Sequence, residues 1–433
     1  MVSRALKGLS CSVAAVLFSA PSLGAYSVEN EPSAVRVGPV LTVVTGTVNG
    51  TGQGTIAYNS VNDEYYVVWN DFEFEMPRGV LRNDIYARRV SVDGGFVDNA
   101  HAVIADENST FAPSAVHDPV RNQYLVAWKF QGNIPGTPSF NHLFARLVTD
   151  SGAAITDPWD ASIAGFEVTG VFNPLAGISG EFFLTGRSFA TGDPSGVYGE
   201  RIDHTGSGQG TIKVELNNAP GPAGQIALNG PASQVLATWG DVSTNRVMGR
   251  IINSNGSFAT DAFEISSVYP SAEPATGGSF DPHYGRYFVV IGDFMDGPVT
   301  GQFVAEDGTL DGAPITLIDS GDREYPYLAY DPGNRVYLLV WHNSRFINCQ
   351  LVSPTGQLLG DPIELTSVHQ STEPRVAAST DRGGFLVVWR NTASMSLHAQ
   401  LIGVEGSSLV FTDGFESGAT GAWDPVRFQE KLS

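Results

Sequence analysis

Five oxygen-bearing side chains recur at one place in a repeated phrase. Asp71, Asp241, Asp293, Asn343 and Asn391 each stand two residues beyond an apolar run that ends, in most copies, in Trp. Carboxylates and amides gathered around one mouth would suit Ca²⁺, which takes six to eight oxygen ligands. The same residue types also cap strand ends, accepting hydrogen bonds from backbone N–H groups of the next turn. Recurrence weighs toward capping, because a repeated structural need explains every copy, whereas a site usually breaks the repeat.

Aromatic residues follow the same runs: Phe72, Phe74, Phe130, Phe189 and Phe294. Exposed, such rings would stack on the faces of sugars; turned inward, they would plug a loop layer. Acid–base chemistry is the third candidate. Glu273, Glu324 and Glu373 precede three of the apolar units. With Asp71 or Asp293 they could form the carboxylate pair of a glycoside-cleaving enzyme. Ordinary solvation of the loops accounts for them more simply. The eight His residues are scattered, and neither His-Glu-x-x-His nor Gly-x-Ser-x-Gly occurs.

The elements that must position these residues are copies of one unit. The apolar run reads "YYVVW", "YLVAW", "FFLTG", "VLATW", "YFVVI", "YLLVW" and "FLVVW", ending at Trp69, Trp128, Gly186, Trp239, Ile291, Trp341 and Trp389. Spacings fall from 59 to 48 residues along the chain. Periods near this size mark solenoids, propellers or arrays. A second register agrees: a strand downstream of each run carries a small residue at a fixed place, Ala87, Ala145, Gly199, Gly249, Gly301, Cys349 and Ala399. A neighbouring strand or sheet must approach closely there. Cys349 is thereby read as one packed, inert member of the set.

Each unit reads as four strands. An Asp-Pro turn or a Gly/Asn equivalent joins the first to the second, and a Gly-bearing turn such as "NSNGS" joins the third to the fourth. Those two tight turns fall on one face of a meander. The opposite face takes the long, variable loops, the largest being 70–84 and 129–142, and variable loops on a rigid scaffold are where binding concentrates. The segment "GPVLTVV" (38–44) matches the fourth-strand phrase "DPIELTS" (361–367), so the N-terminal strand is expected to complete the last unit. "SSLVF" (407–411) competes for that place.

Together these units resemble those of secreted bacterial repeat proteins, which read Pro-x-Val-Ala-Tyr-Asp-Pro…Tyr-Leu-Val-Val-Trp-x-Asp. The resemblance implies an all-β fold: a seven-bladed β-propeller of four-stranded antiparallel blades over 37–408, closed by the N-terminal strand. Its motifs mark a fold, not a function, because propellers serve enzymes, lectins and scaffolds alike. The tail 409–433 holds "FTDGFESGATGAWD", similar to a short C-terminal phrase, Asp-Gly-Phe-Glu-Ser-Gly…Trp, of many secreted proteobacterial proteins.

Residues 1–25 read as a secretory leader, with Arg4 and Lys7 before a short apolar stretch, and 26–36 as a linker. No later segment is apolar enough to span a bilayer. Removal of the leader takes Cys11 with it and leaves Cys349 alone, so no internal disulfide is expected. A formal charge of −21 argues against nucleic acid and anionic membranes as partners. The expectation is a monomer, secreted, periplasmic or at the cell surface, that binds an extracellular glycan or protein without catalysis and needs no cofactor beyond a possible Ca²⁺. The alternative is an extracellular polysaccharide hydrolase or lyase with acidic residues at a central mouth.

Overall fold

The computed structural model describes residues 35–45, 51–75, 80–105, 110–131, 141–161, 166–176, 180–188, 196–214, 220–241, 243–267, 275–292, 297–319, 324–343, 346–366 and 370–405. All lie in one compact unit, Pro32–Ser433. The expected leader, the competing strand 407–411 and the tail lie outside the described residues.

The chain forms seven four-stranded antiparallel sheets. In the first blade, β2 (Thr51–Asn59), β3 (Glu64–Glu75), β4 (Val80–Ser91) and β5 (Ala102–Ala105) follow one another in sequence order. Five blades repeat this meander. In the seventh, β26 (Ser371–Ala378), β27 (Phe385–Asn391) and β28 (Ser396–Val404) are completed by β1 (Val35–Thr45). First strands touch first strands from blade to blade, and that of the seventh returns to β2. The molecule is a closed seven-bladed β-propeller.

Burial explains the unbroken apolar runs. Tyr65 to Trp69 are all buried, with Val67 and Trp69 packed toward the seventh blade and Tyr66 and Val68 toward the second. A sheet covered on both faces needs no polar alternation. The core is therefore a set of layers between blades. The small-residue register has its cause here too. A Cβ on Gly199, Gly249 or Gly301 would come within 2.6–2.7 Å of Phe183, Ile265 or Phe288, which stand on flanking strands. Cys349 is fully buried in the same register, and desolvation pushes its thiol up to about 12.

The turns follow the sequence grammar. Gly256 in the third-to-fourth turn adopts φ +86, a left-handed conformation that L side chains rarely take, and its N–H donates to Asn253 O. At the other tight turn, Asp331 Oδ1 accepts from the backbone N–H groups of Gly333 and Asn334. Asp118 and Asp281 do the same in their own blades.

Ring closure rests on a register from Val35 opposite Val404 to Thr45 opposite Ser396. Gln400 Nε2 donates to Gly38 O at 2.6 Å, and Arg88 of the first blade donates to Val43 O at 3.0 Å. Among the described residues no helix is long and apolar enough to cross a membrane.

Candidate functional site

Three of the recurring oxygen ligands are committed to their own turns. Asp241 Oδ1 accepts from Ser243 N at 2.9 Å, Ser243 Oγ at 2.6 Å and Thr244 N at 3.3 Å. Burial works against its charge, but these bonds outweigh that cost and hold the carboxyl below its ordinary range. Asn391 Oδ1 accepts from Ala393 N, Ser394 N and Ser394 Oγ at 2.9–3.0 Å. Asn343 Oδ1 accepts from Phe346 N at 2.9 Å. Each side chain turns its oxygen toward the reversal between second and third strands.

Asp71 differs because its hairpin does not reverse there. Strands β3 and β4 stay paired as far as Glu75 and Val80, which sets Asp71 opposite Asp84. The two are 9% and 4% exposed. Asn70 donates to Asn83 Oδ1 at 3.0 Å nearby. Phe72 and Phe74 take ladder positions opposite Asn83 and Leu81. In the second blade Phe130 lies opposite His142, its half-buried ring edge-on to Phe144 at 5.1 Å. Much of the Phe130 surface is thus spent on its own blade. Asp293, Phe294, Phe189 and Glu273 lie outside the described residues. Glu373 stands 3.9 Å from Arg390.

The described candidates thus stand on several blades, each held in the turn or ladder of its own blade. Among the described residues no group of three or more carboxylate, imidazole or thiol side chains is placed to hold a metal ion.

One candidate, Asn391, does border a cavity. It lies on the seventh blade against the sixth and measures about 110 Å³, lined by Val40, Leu365, Thr366, Ser371, Trp389, Asn391 and His398. Each wall has its origin in the fold. Leu365 and Thr366 follow the outer strand of the sixth blade, Leu358–Glu364. Val40 comes from the closing strand β1, and Trp389 and His398 are cross-strand partners on β27 and β28. Sequence reasoning missed all but Asn391. The available signal was His398 itself, at the position where the first two copies carry Tyr86 and Phe144.

His398 also ends a chain of hydroxyls. Ser394 Oγ meets Ser396 Oγ, which lies 2.8 Å from His398 Nε2; on the other side Thr42 Oγ1 lies 3.4 Å from Nδ1. A serine next to an imidazole is the start of nucleophilic catalysis. Here the partner behind the ring is a hydroxyl where a triad has a carboxylate, and Ser396 is only 1% exposed. Burial lowers the His398 pKa, which keeps the ring neutral near pH 7. The arrangement supplies neutral hydrogen-bonding groups beside an apolar wall.

Comparison with known proteins places the chain among propellers by shape alone. A chain of Kuenenia stuttgartiensis hydrazine synthase superposes with a TM-score of 0.54 and 10% identity, covering 83% of this chain and 98% of its own. The Dos1 propeller does so with a TM-score of 0.52 and 8% identity, covering 86% and 96%. No protein-family model and no curated protein matches the sequence. At such identities the likeness is one of fold, which many functions share.

Proposed function

We propose that the protein is an exported, non-catalytic propeller that binds an extracellular glycan or protein through its long-loop face. The observation carrying this reading is the cavity beside Asn391, whose lining combines carbon surface with uncharged polar groups. Such a lining suits recognition of a neutral group. Export is supported by the leader-like first 25 residues, and the acidic chain keeps anionic partners away.

A glycan array run beside a polysaccharide-hydrolysis screen tests the proposal. Saturable binding with no product release is the expected result. Turnover of any polysaccharide that is abolished by Asp71→Ala, with folding intact, would overturn it in favour of a hydrolase or lyase.

A further inference from the structure

The cavity occupies a position that the first two blades fill with rings, while the fourth, fifth and sixth carry Met248, Thr300 and Asn348 there. In the first blade Tyr86 stacks beside Trp69 at 6.1 Å, and His101 closes edge-on over the two at 4.9 and 6.0 Å. In the second, Phe144 stacks beside Trp128 at 6.4 Å and Phe130 packs edge-on against it. In the seventh, His398 stacks beside Trp389 at 5.9 Å, and among the described residues no third ring joins them. The open space of about 110 Å³ lies against this pair. At roughly 30 Å³ per liquid water, that is room for about three or four waters or a group of four to six heavy atoms.

The lining selects the kind of group. No charged side chain borders the cavity, so an ion would be stripped of water without a counter-charge. Most of the lining is carbon, with a smaller hydrogen-bonding share. The Thr366 hydroxyl accepts from Ile347 N at 3.2 Å and Asn391 Nδ2 donates to Ser371 Oγ at 3.4 Å; among the described residues the hydroxyl hydrogen and the second amide hydrogen have no further partner. Covering those donors with carbon would leave them unmatched. Trp389, Leu365 and Val40 offer carbon surface. A methyl carried on a neutral amide satisfies both demands in four heavy atoms.

We propose that this cavity holds the acetamido group of an N-acetylated sugar, a step that rests on the glycan reading of the loop face. The methyl packs on Trp389, Leu365 and Val40, and the amide meets Thr366 and Asn391. Acetyl-lysine carries the same group; the sugar follows from the glycan reading, with Val40, 49% exposed, as the accessible part of the lining.

Isothermal titration of the whole chain with N-acetylglucosamine, glucosamine, glucose and an acetyl-lysine peptide tests this. N-acetylglucosamine is expected to bind with Kd on the order of 1 mM, as one small group would, and the two other sugars at least about ten-fold more weakly. His398→Tyr copies the first blade and Val40→Trp fills the cavity from an exposed edge. Each is expected to weaken binding about ten-fold or more with melting nearly unchanged, and near-isosteric Thr366→Val about five-fold. Equal affinity for the three sugars, indifference to all three variants, or preference for the peptide would overturn the assignment. A glycan that lacks the acetamido group yet binds regardless of the variants would overturn this cavity alone. Absence of any glycan or protein ligand would remove the binding role itself.

Discussion

Nδ2 of Asn59, in the first blade, donates a 2.9 Å hydrogen bond to the hydroxyl of Tyr124 in the second. The same Asn59 uses Oδ1 to accept from Val61 N and Asn62 N in its own turn. One side chain thus shapes a hairpin and pins it to the next blade. Tyr330 OH does the equivalent work from the sixth blade, donating to Asp281 Oδ1 in the fifth at 2.9 Å. In the first and fifth blades the polar residue that closes the first strand is therefore an interblade bolt as well as a turn former.

Tyr124→Phe tests that bolt. It leaves a buried amide hydrogen of Asn59 without an acceptor, at a cost of about 1–3 kcal/mol. Asn59→Ala should cost more, because two turn N–H groups lose their acceptor as well. Urea unfolding measures both; a loss below about 0.5 kcal/mol for each would show the bolt to be dispensable.

The lone buried thiol gives a second test. Cys349 is enclosed and its thiol pKa is pushed up to about 12 by desolvation, so the reactive thiolate is scarce at pH 8. A thiol reagent should leave the folded protein unlabelled and react fully in denaturant. Counting thiols there also reports on export: the full sequence holds two Cys, and a processed chain without Cys11 should titrate one. Rapid labelling of the folded protein would contradict the packed assignment.

Acid stability should depend on the turn caps. Asp241 has a folded pKa below its ordinary value: burial raises it, and the bonds from Ser243 and Thr244 more than offset that. Its contribution is fully present above the unfolded value of about 3.9 and fades as pH falls through the lower folded value. Asp203, bonded to Thr205 and Ser207 against the opposing effect of burial, behaves alike. Melting followed from about pH 5 to 2 should fall more steeply for the native chain than for Asp241→Asn, which retains the cap and not the charge. Identical slopes would rule this out.

Ring closure makes a fourth prediction. A chain beginning after Thr45 leaves β28 with an unpaired edge and loses Val43 from its core layer. We expect melting at least about 5 °C lower, partly restored by adding a peptide of residues 35–45, which can re-form the strand. Unchanged melting would mean the closing strand contributes little.

Much of the architecture was readable from the chain because a repeated unit repeats its physical demands. Apolar runs buried on both faces, small residues at one place in the third strand, and Asx and Gly turns each recur seven or nearly seven times, so chance agreement averages out. The closing role of 35–45 was readable for the same reason, as a fourth-strand phrase displaced to the start. What the sequence could not determine lies where one copy departs from the rest. His398 in place of Tyr86 or Phe144 is one substitution among many in the alignment of copies. It bounds a cavity only because β1, remote in sequence, brings Val40 beside it and the sixth blade supplies Leu365 and Thr366. Likewise the carboxylate of Asp241 and the amide of Asn391 have the right atoms for a ligand, but local backbone N–H groups claim their oxygens first. Residue type and spacing settled the fold; which polar atoms remain available to a ligand was decided by packing between strands that meet only in the closed ring.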